Sequence, residues 1–291
     1  MAVRVVTDST SYLPKEEQER YGIEVVTLYV NFGDESYAEV GLDSEWFYTR
    51  MASESAMPTS SQPSVQNMAE VFTSAVERGE EVCGVFISSE MSGTYESAQL
   101  AVTMVRESHP DARIELVDSR SNSMQLGFAV LEAARAATAG ASLEDVAAAA
   151  RATVGRTRFL FVPHTLDHLR KGGRIGGASA LLGTLLQIRP VLTVNDGRTD
   201  VWGKVRTKRK ALAEMVGALE ADAARAGLVE VAVHHINDEA EGRVLADMVA
   251  SATGHDVSLV AIGPVVGLHV GPGTVGVVYR TERDLAEGVS A

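Results

Sequence analysis

At 291 residues the chain is long enough for two domains and a sizeable buried core. Apolar residues make up 45% and charged residues 22%, ordinary for a water-soluble globular protein, and no stretch approaches the roughly 18 apolar residues of a membrane helix. The net charge of −13 disfavours nucleic-acid phosphates and anionic lipid surfaces as general partners, since both select basic proteins.

The first residues read as a buried strand over 3–7 rather than as a leader peptide, so cytoplasmic residence is the expectation. Further apolar runs at 23–30, 82–87 and 114–117 alternate with helical patterns at 65–77, 92–107 and 122–139. Gly79, Pro110 and Gly140 mark the helix ends, and Ser142-Leu143-Glu144-Asp145 opens an alanine-rich helix in the manner of a capping box. This alternation predicts an α/β domain with a mostly parallel sheet. The single cysteine, Cys83, lies inside the run at 82–87, which excludes an internal disulfide and points to a core role.

Past residue 158 the pattern changes to a strand at 158–162, glycine-rich turns, a helix near 178–187 and strands at 191–194, 229–234, 257–262 and 275–279. The expected division is therefore 1–158 and 159–291. The basic run from Lys204 to Lys210 reads as a solvated face. No heptad or exchanged arm is visible, and a monomer is expected.

Most catalytic patterns fail. His164 and His168 have i,i+4 spacing but no third metal ligand nearby, and His234 and His235 are adjacent on a strand, so they face opposite ways. No metal or cofactor is expected. Ser92 lacks the Gly-x-Ser-x-Gly elbow because Glu90 stands at the first glycine. Gly271-Pro272-Gly273-Thr274-Val275-Gly276 matches a dinucleotide fingerprint in letters only, since it leads into a strand instead of opening a helix. Asp8-Ser9 and Asp118-Ser119 each end an apolar strand, where Asp commonly ties down loop backbone. Two turns rich in hydroxyls remain, residues 57–64 and 88–94, each leading into a helix. A helix start can bind an anion, although Ser and Thr there also serve as ordinary caps.

Several motifs, in order and spacing, resemble the DegV family. They are Thr7-Asp8-Ser9-Thr10, Pro58-Thr59-Ser60-Ser61-Gln62-Pro63-Ser64, Ser88-Ser89-Glu90-Met91-Ser92-Gly93-Thr94-Tyr95 and Val117-Asp118-Ser119. The later ones are Leu169-Arg170-Lys171-Gly172-Gly173-Arg174-Ile175, Arg189-Pro190, Lys204-Val205-Arg206-Thr207 and Gly267-Leu268-His269-Val270-Gly271-Pro272-Gly273. The resemblance implies two α/β domains, the N-terminal with a mostly parallel sheet and the C-terminal with a mixed sheet flanked by helices. It implies a tunnel between them for one long-chain fatty acid.

Carried onto this chain, the carboxylate-binding residues are Ser60, Ser92 and His269, with Ser61, Thr94 and Arg206 beside them. Ser60 stands where the family commonly has Thr. The resemblance further implies a non-catalytic carrier that presents the bound acid to a separate fatty-acid kinase, with Arg170 and Arg174 toward that partner. Transient membrane contact is compatible with such a role. The apolar segment at 178–186 is a candidate wall for the acyl tail. Two competing readings are an esterase or acyl-transfer enzyme using Ser92 with His269 as base, and a regulatory protein reporting lipid status.

Overall fold

A computed structural model of the chain describes residues 1–182 and 188–285. It divides into two compact units, the first made of residues 1–41 and 60–154 and the second of 42–59 together with those from 155 onward. The second unit thus begins a few residues before the expected division at 158/159, and it also includes a segment, 42–59, that no shift in composition marks.

The first unit opens with β1 (Val3–Asp8), a 3-10 turn at Ser9–Ser11, α1 (Lys15–Tyr21), β2 (Glu24–Val26), β3 (Tyr29–Phe32) and β4 (Glu35–Ala38). The intervening α2 (Ser44–Ser53) groups with the second unit. Then come β5 (Thr59–Ser61), α3 (Val65–Glu77), β6 (Glu81–Phe86), α4 (Thr94–Ser108), β7 (Ile114–Asp118), α5 (Ser123–Thr138) and α6 (Leu143–Val154).

Strands pair in the order β2-β1-β6-β7, all parallel, with Val5 opposite Cys83 and Gly84 opposite Leu116. Val6, Val82 and Phe86 pack with Met68 and Phe72 of α3 and with Ala98, Ala101 and Val105 of α4. Helices α5 and α6 lie against β1, β6 and β7. A parallel sheet covered in this way needs strands that are apolar throughout, which is why 82–87 reads as an unbroken run. Every residue of β6 is buried, and Cys83 there is a free thiol whose pKa burial pushes up to about 12.

The run at 23–30 is not one strand. Its first half joins the parallel sheet as β2 and its second half becomes β3, the centre of a small sheet ordered β4-β3-β5. The chain changes sheets at Leu28, whose N–H donates to the Ser9 hydroxyl at 3.0 Å instead of to a strand neighbour.

The second unit holds α2 and then β8 (Thr157–Val162), α7 (Asp167–Lys171), a 3-10 segment at Gly176–Leu181, β9 (Arg189–Asn195) and β10 (Arg198–Val205). It continues through α8 (Lys208–Ala226), β11 (Leu228–His235), α9 (Glu239–Thr253), β12 (Ser258–Ala261), α10 (Pro264–Val270) and β13 (Val275–Thr281). Its sheet is mixed, ordered β10-β9-β8-β13-β11-β12, antiparallel except for β11 with β12. The parallel and mixed sheets match the expected fold class. Of the helix expected near 178–187, residues 176–181 form the 3-10 segment and 183–187 lie outside the described residues. The basic run at 204–210 is split between two elements: Lys204 and Val205 end β10, and Thr207 caps α8 by accepting from the Lys210 N–H at 3.2 Å. Among the described residues no helix is long and apolar enough to cross a membrane.

Candidate ligand-binding site

In the first unit the strand order reverses direction of growth between β1 and β6, with β2 outside one and β7 outside the other. Ligands in open α/β sheets bind beyond the carboxyl ends of the strands at such a switch point. The segment leaving β6 there is Ile87 to Gly93, and it carries Ser92 into α4.

Backbone donors from Ile87 to Ser92 are used internally. Ile87 N–H donates to Asp8 at 2.8 Å and Ser88 N–H to the Ser121 carbonyl at 2.8 Å. Ser89 N–H donates to Asp118 at 3.3 Å and Glu90 N–H to the Ser88 hydroxyl at 3.2 Å. Met91 and Ser92 N–H both reach the Ser88 carbonyl, at 3.0 and 3.1 Å. What the turn offers a ligand is therefore concentrated in hydroxyls. Ser92 Oγ and Thr94 Oγ1 lie 2.9 Å apart at the start of α4, Ser92 half-buried and Thr94 buried. The cap residue of α4 is Gly93, which has no side chain, and the Ser92 hydroxyl before it accepts from the Thr94 N–H at 3.3 Å, whereas α3 is closed by Ser64 accepting from Asn67 N–H at 3.1 Å. Ser64 is thus an ordinary cap, and at α4 the same kind of hydroxyl also carries a proton of its own that it can offer an anion.

The second hydroxyl-bearing turn comes to the same place. Residues expected as a turn form β5 instead, with Ser60 and Ser61 half-buried, and the Ser61 hydroxyl accepts from Asn31 Nδ2 at 3.3 Å. Gln62 follows, and its side-chain nitrogen lies 2.7 Å from where a Cβ on Gly93 would sit. A side chain at 93 would have to push the Gln62 amide aside.

In the second unit His269 lies in the last turn of α10, a helix opened by Pro264 and packed against α7 and α2. Three glycines admit three side chains here. A Cβ on Gly172 would lie 2.3 Å from His269 Nδ1, one on Gly271 would lie 2.6 Å from the His168 ring, and one on Gly267 would lie 1.8 Å from the Tyr48 hydroxyl oxygen. His168 Nδ1 is 3.1 Å from the Leu268 carbonyl oxygen. The glycine-rich sequence after α7 and the glycine-flanked histidine are thus parts of one packed module. Burial holds the His269 pKa down to about 4, and the nearby Arg174 cation pushes the same way, so the imidazole is neutral at pH 7.

Arg174 is exposed and donates to the Gly172 carbonyl at 2.7 Å, and Arg170 is exposed and 3.5 Å from Asp167. Arg206 is exposed on the turn between β10 and α8. Sequence reasoning missed the roles of Gly172, Gln62 and Tyr48, because each depends on a neighbour distant in the chain. Gly172→Ala is expected to cost about 1–3 kcal/mol by overpacking against the His269 ring. Urea melts would check it, and a change under about 0.5 kcal/mol would show that the ring yields freely.

The model of the DegV family, described as one of uncharacterised proteins, matches residues 2–282. The chain belongs to the DegV family. A DegV domain-containing protein from Clostridium acetobutylicum is 48% identical over 285 residues, covering 98% of this chain and 100% of the relative. The DegV protein of Bacillus subtilis is 31% identical over 282 residues, covering 96% and 99%. Among solved structures, a fatty-acid-binding DegV family protein from Thermus thermophilus superposes with a TM-score of 0.88 at 34% identity, over 97% of this chain and 100% of that one. A stearic-acid-binding protein from Eubacterium ventriosum gives 0.88 at 31% identity, over 96% and 98%. The hydroxyl turn after β6 and the α10 histidine lie inside the span shared with these DegV relatives.

Proposed function

We propose that this chain binds one long-chain fatty acid and acts as a non-catalytic carrier of it. The carrying observation is the full-length likeness, at 34% and 31% identity, to two proteins whose structures are described as fatty-acid and stearic-acid binding. The hydroxyl pair at the start of α4 supplies chemistry suited to the carboxylate head. In this reading Ser92 and Ser60 donate to the carboxylate, with Ser61 and Thr94 supporting them, and His269 donates from a neutral ring. Arg206 is a further head-group residue.

Energetics favour such a division of labour. Burying about 14 methylenes at about 0.8 kcal/mol each gives on the order of 11 kcal/mol before binding costs, so the tail dominates affinity. Neutral donors then orient the head without the desolvation cost of a buried cation. A head held in this way stays open to chemistry by another protein. The carrier accordingly presents the carboxylate to a separate ATP-dependent fatty-acid kinase for acyl-phosphate formation, with Arg170 and Arg174 on the partner-facing surface.

An esterase reading is the weaker one. An imidazole whose pKa is about 4 is a poor general base at neutral pH, and Ser92 lacks the nucleophile-elbow sequence.

Native mass spectrometry and lipid extraction of purified protein should find close to one acyl chain per polypeptide. Protein that is repeatedly lipid-free and takes up no added fatty acid would end the proposal. Release of p-nitrophenol from p-nitrophenyl acyl esters above background would favour the esterase instead.

A further inference from the structure

The Asp-Ser strand ends sit on the two neighbours of β6, with Asp8 closing β1 and Asp118 closing β7. Each carboxylate does two things at once. It folds its own loop, and it takes hold of the segment leaving β6. Asp8 accepts from Thr10 N–H at 2.9 Å and the Thr10 hydroxyl at 2.5 Å, while its other oxygen accepts from Ile87 N–H at 2.8 Å. Asp118 accepts from Arg120 N–H at 2.9 Å and Ser89 N–H at 3.3 Å, while its other oxygen accepts from the Ser89 hydroxyl at 2.6 Å.

The loop after β7 is stitched to the same segment at other points. Ser119 N–H donates to the Phe86 carbonyl at 3.0 Å, and Arg120 bridges Asp118 at 3.7 Å and Glu90 at 3.6 Å. Arg120 holds this position at φ +53, a left-handed conformation uncommon for a residue other than glycine. These contacts hold residues 86–90, from which the turn runs on to Ser92 and Thr94, from both sides.

We propose that Asp118 is a positioning residue that sets head-group selectivity at the Ser92–Thr94 hydroxyl pair, as one jaw of a clamp whose other jaw is Asp8. This rests on the reading that the pair meets a fatty-acid carboxylate. A carboxylate takes a charge-assisted hydrogen bond from each of two aligned donors, whereas an alcohol head takes only weaker neutral ones and so loses less when a donor swings away. Selectivity for the acid therefore depends on how firmly the two hydroxyls are held in register, and holding donors in place is what a preorganised supporting shell does. Asp8 is fully buried, so removing it would strand the Ile87 N–H and threaten folding. Asp118 is partly exposed and Ser89 is exposed, so that jaw can be opened without dismantling the core.

The test measures hexadecanoic acid and hexadecan-1-ol by competition against one fluorescent acyl probe, on wild type, Asp118→Ala, Asp118→Asn and Ser89→Ala, with thermal melts alongside. Asp118→Ala is expected to lose about tenfold in affinity for the acid while the alcohol stays within about twofold, so the acid-to-alcohol ratio collapses. Asp118→Asn, which keeps one acceptor oxygen, recovers part of the ratio, and Ser89→Ala gives a smaller loss in the same direction. Acid and alcohol falling together, or an unchanged ratio in Asp118→Ala and Ser89→Ala, would overturn the clamp while leaving fatty-acid binding intact. If Asp118→Ala fails to fold, the ratio in Ser89→Ala decides alone. Wild-type protein that takes neither ligand would instead remove the fatty-acid reading and the clamp with it.

Discussion

Ser92→Ala and His269→Ala are each expected to weaken fatty-acid binding by about 10- to 100-fold, the loss that follows from removing one charge-assisted hydrogen bond of about 1.5–3 kcal/mol. Ser92→Ala should move the melting temperature by only a degree or two, whereas His269→Ala also loses a ring packed against Gly172 and should lower it by several degrees. Competition titrations with a fluorescent acyl probe would measure the first quantity and thermal melts the second. The variants should still take up acyl chains at high ligand concentration, because tail burial survives. Wild-type affinity in both would refute the head-group assignment, whatever the lipid content of the native protein.

The second large effect is loss of stability in mild acid. His234 is buried on β11, with Nδ1 3.0 Å from the Val260 carbonyl oxygen and its ring beside Phe159 at 5.7 Å between centroids. Burial lowers its pKa to about 4, against about 6.5 in the unfolded chain. Between those values the unfolded chain binds a proton that the folded protein refuses. Folding stability therefore falls as pH drops from about 6.5 to about 4, by about 3 kcal/mol from His234, with His269, whose pKa is also lowered to about 4, adding an effect of the same sign. Asp8 works the other way, since burial raises its pKa and the folded state then favours the proton. Urea unfolding at pH 7.5, 5.5 and 4.5 should show the decline, and His234→Gln should flatten part of it, the rest belonging to His269 and His235. An equal slope in the variant would place the acid sensitivity elsewhere.

Much of the first unit was legible because parallel strands buried on both faces must be apolar throughout and the helices between them show one apolar stripe. The run at 82–87 and the pattern at 65–77 are clear cases of each. The small sheet around β3 was not, because β4 and β5 are short and polar and owe their strand character to pairing. Segment 42–59 carries no signal of belonging to the second unit, since α2 is placed there by its contact with α10, where Tyr48 meets Gly267, and not by any linker composition. Strand β10 and helix α8 were hidden by the basic run that spans their junction.

At the candidate site, the hydroxyl turns and His269 could be picked out because they are local motifs. The reason for Gly172 could not, because its neighbour is almost a hundred residues away. The Asp-Ser strand ends do tie down loops, as Asp usually does. What sequence could not show is that both grip the turn leaving the strand between them.

The covered sulfur in β6 has a practical corollary. Cys83 is the chain's single cysteine, it is inaccessible, and burial keeps its thiol protonated at working pH. The folded polypeptide is therefore expected to be silent toward maleimide reagents. A reporter dye can be attached through one introduced cysteine at any chosen surface position, with no need for a cysteine-free background.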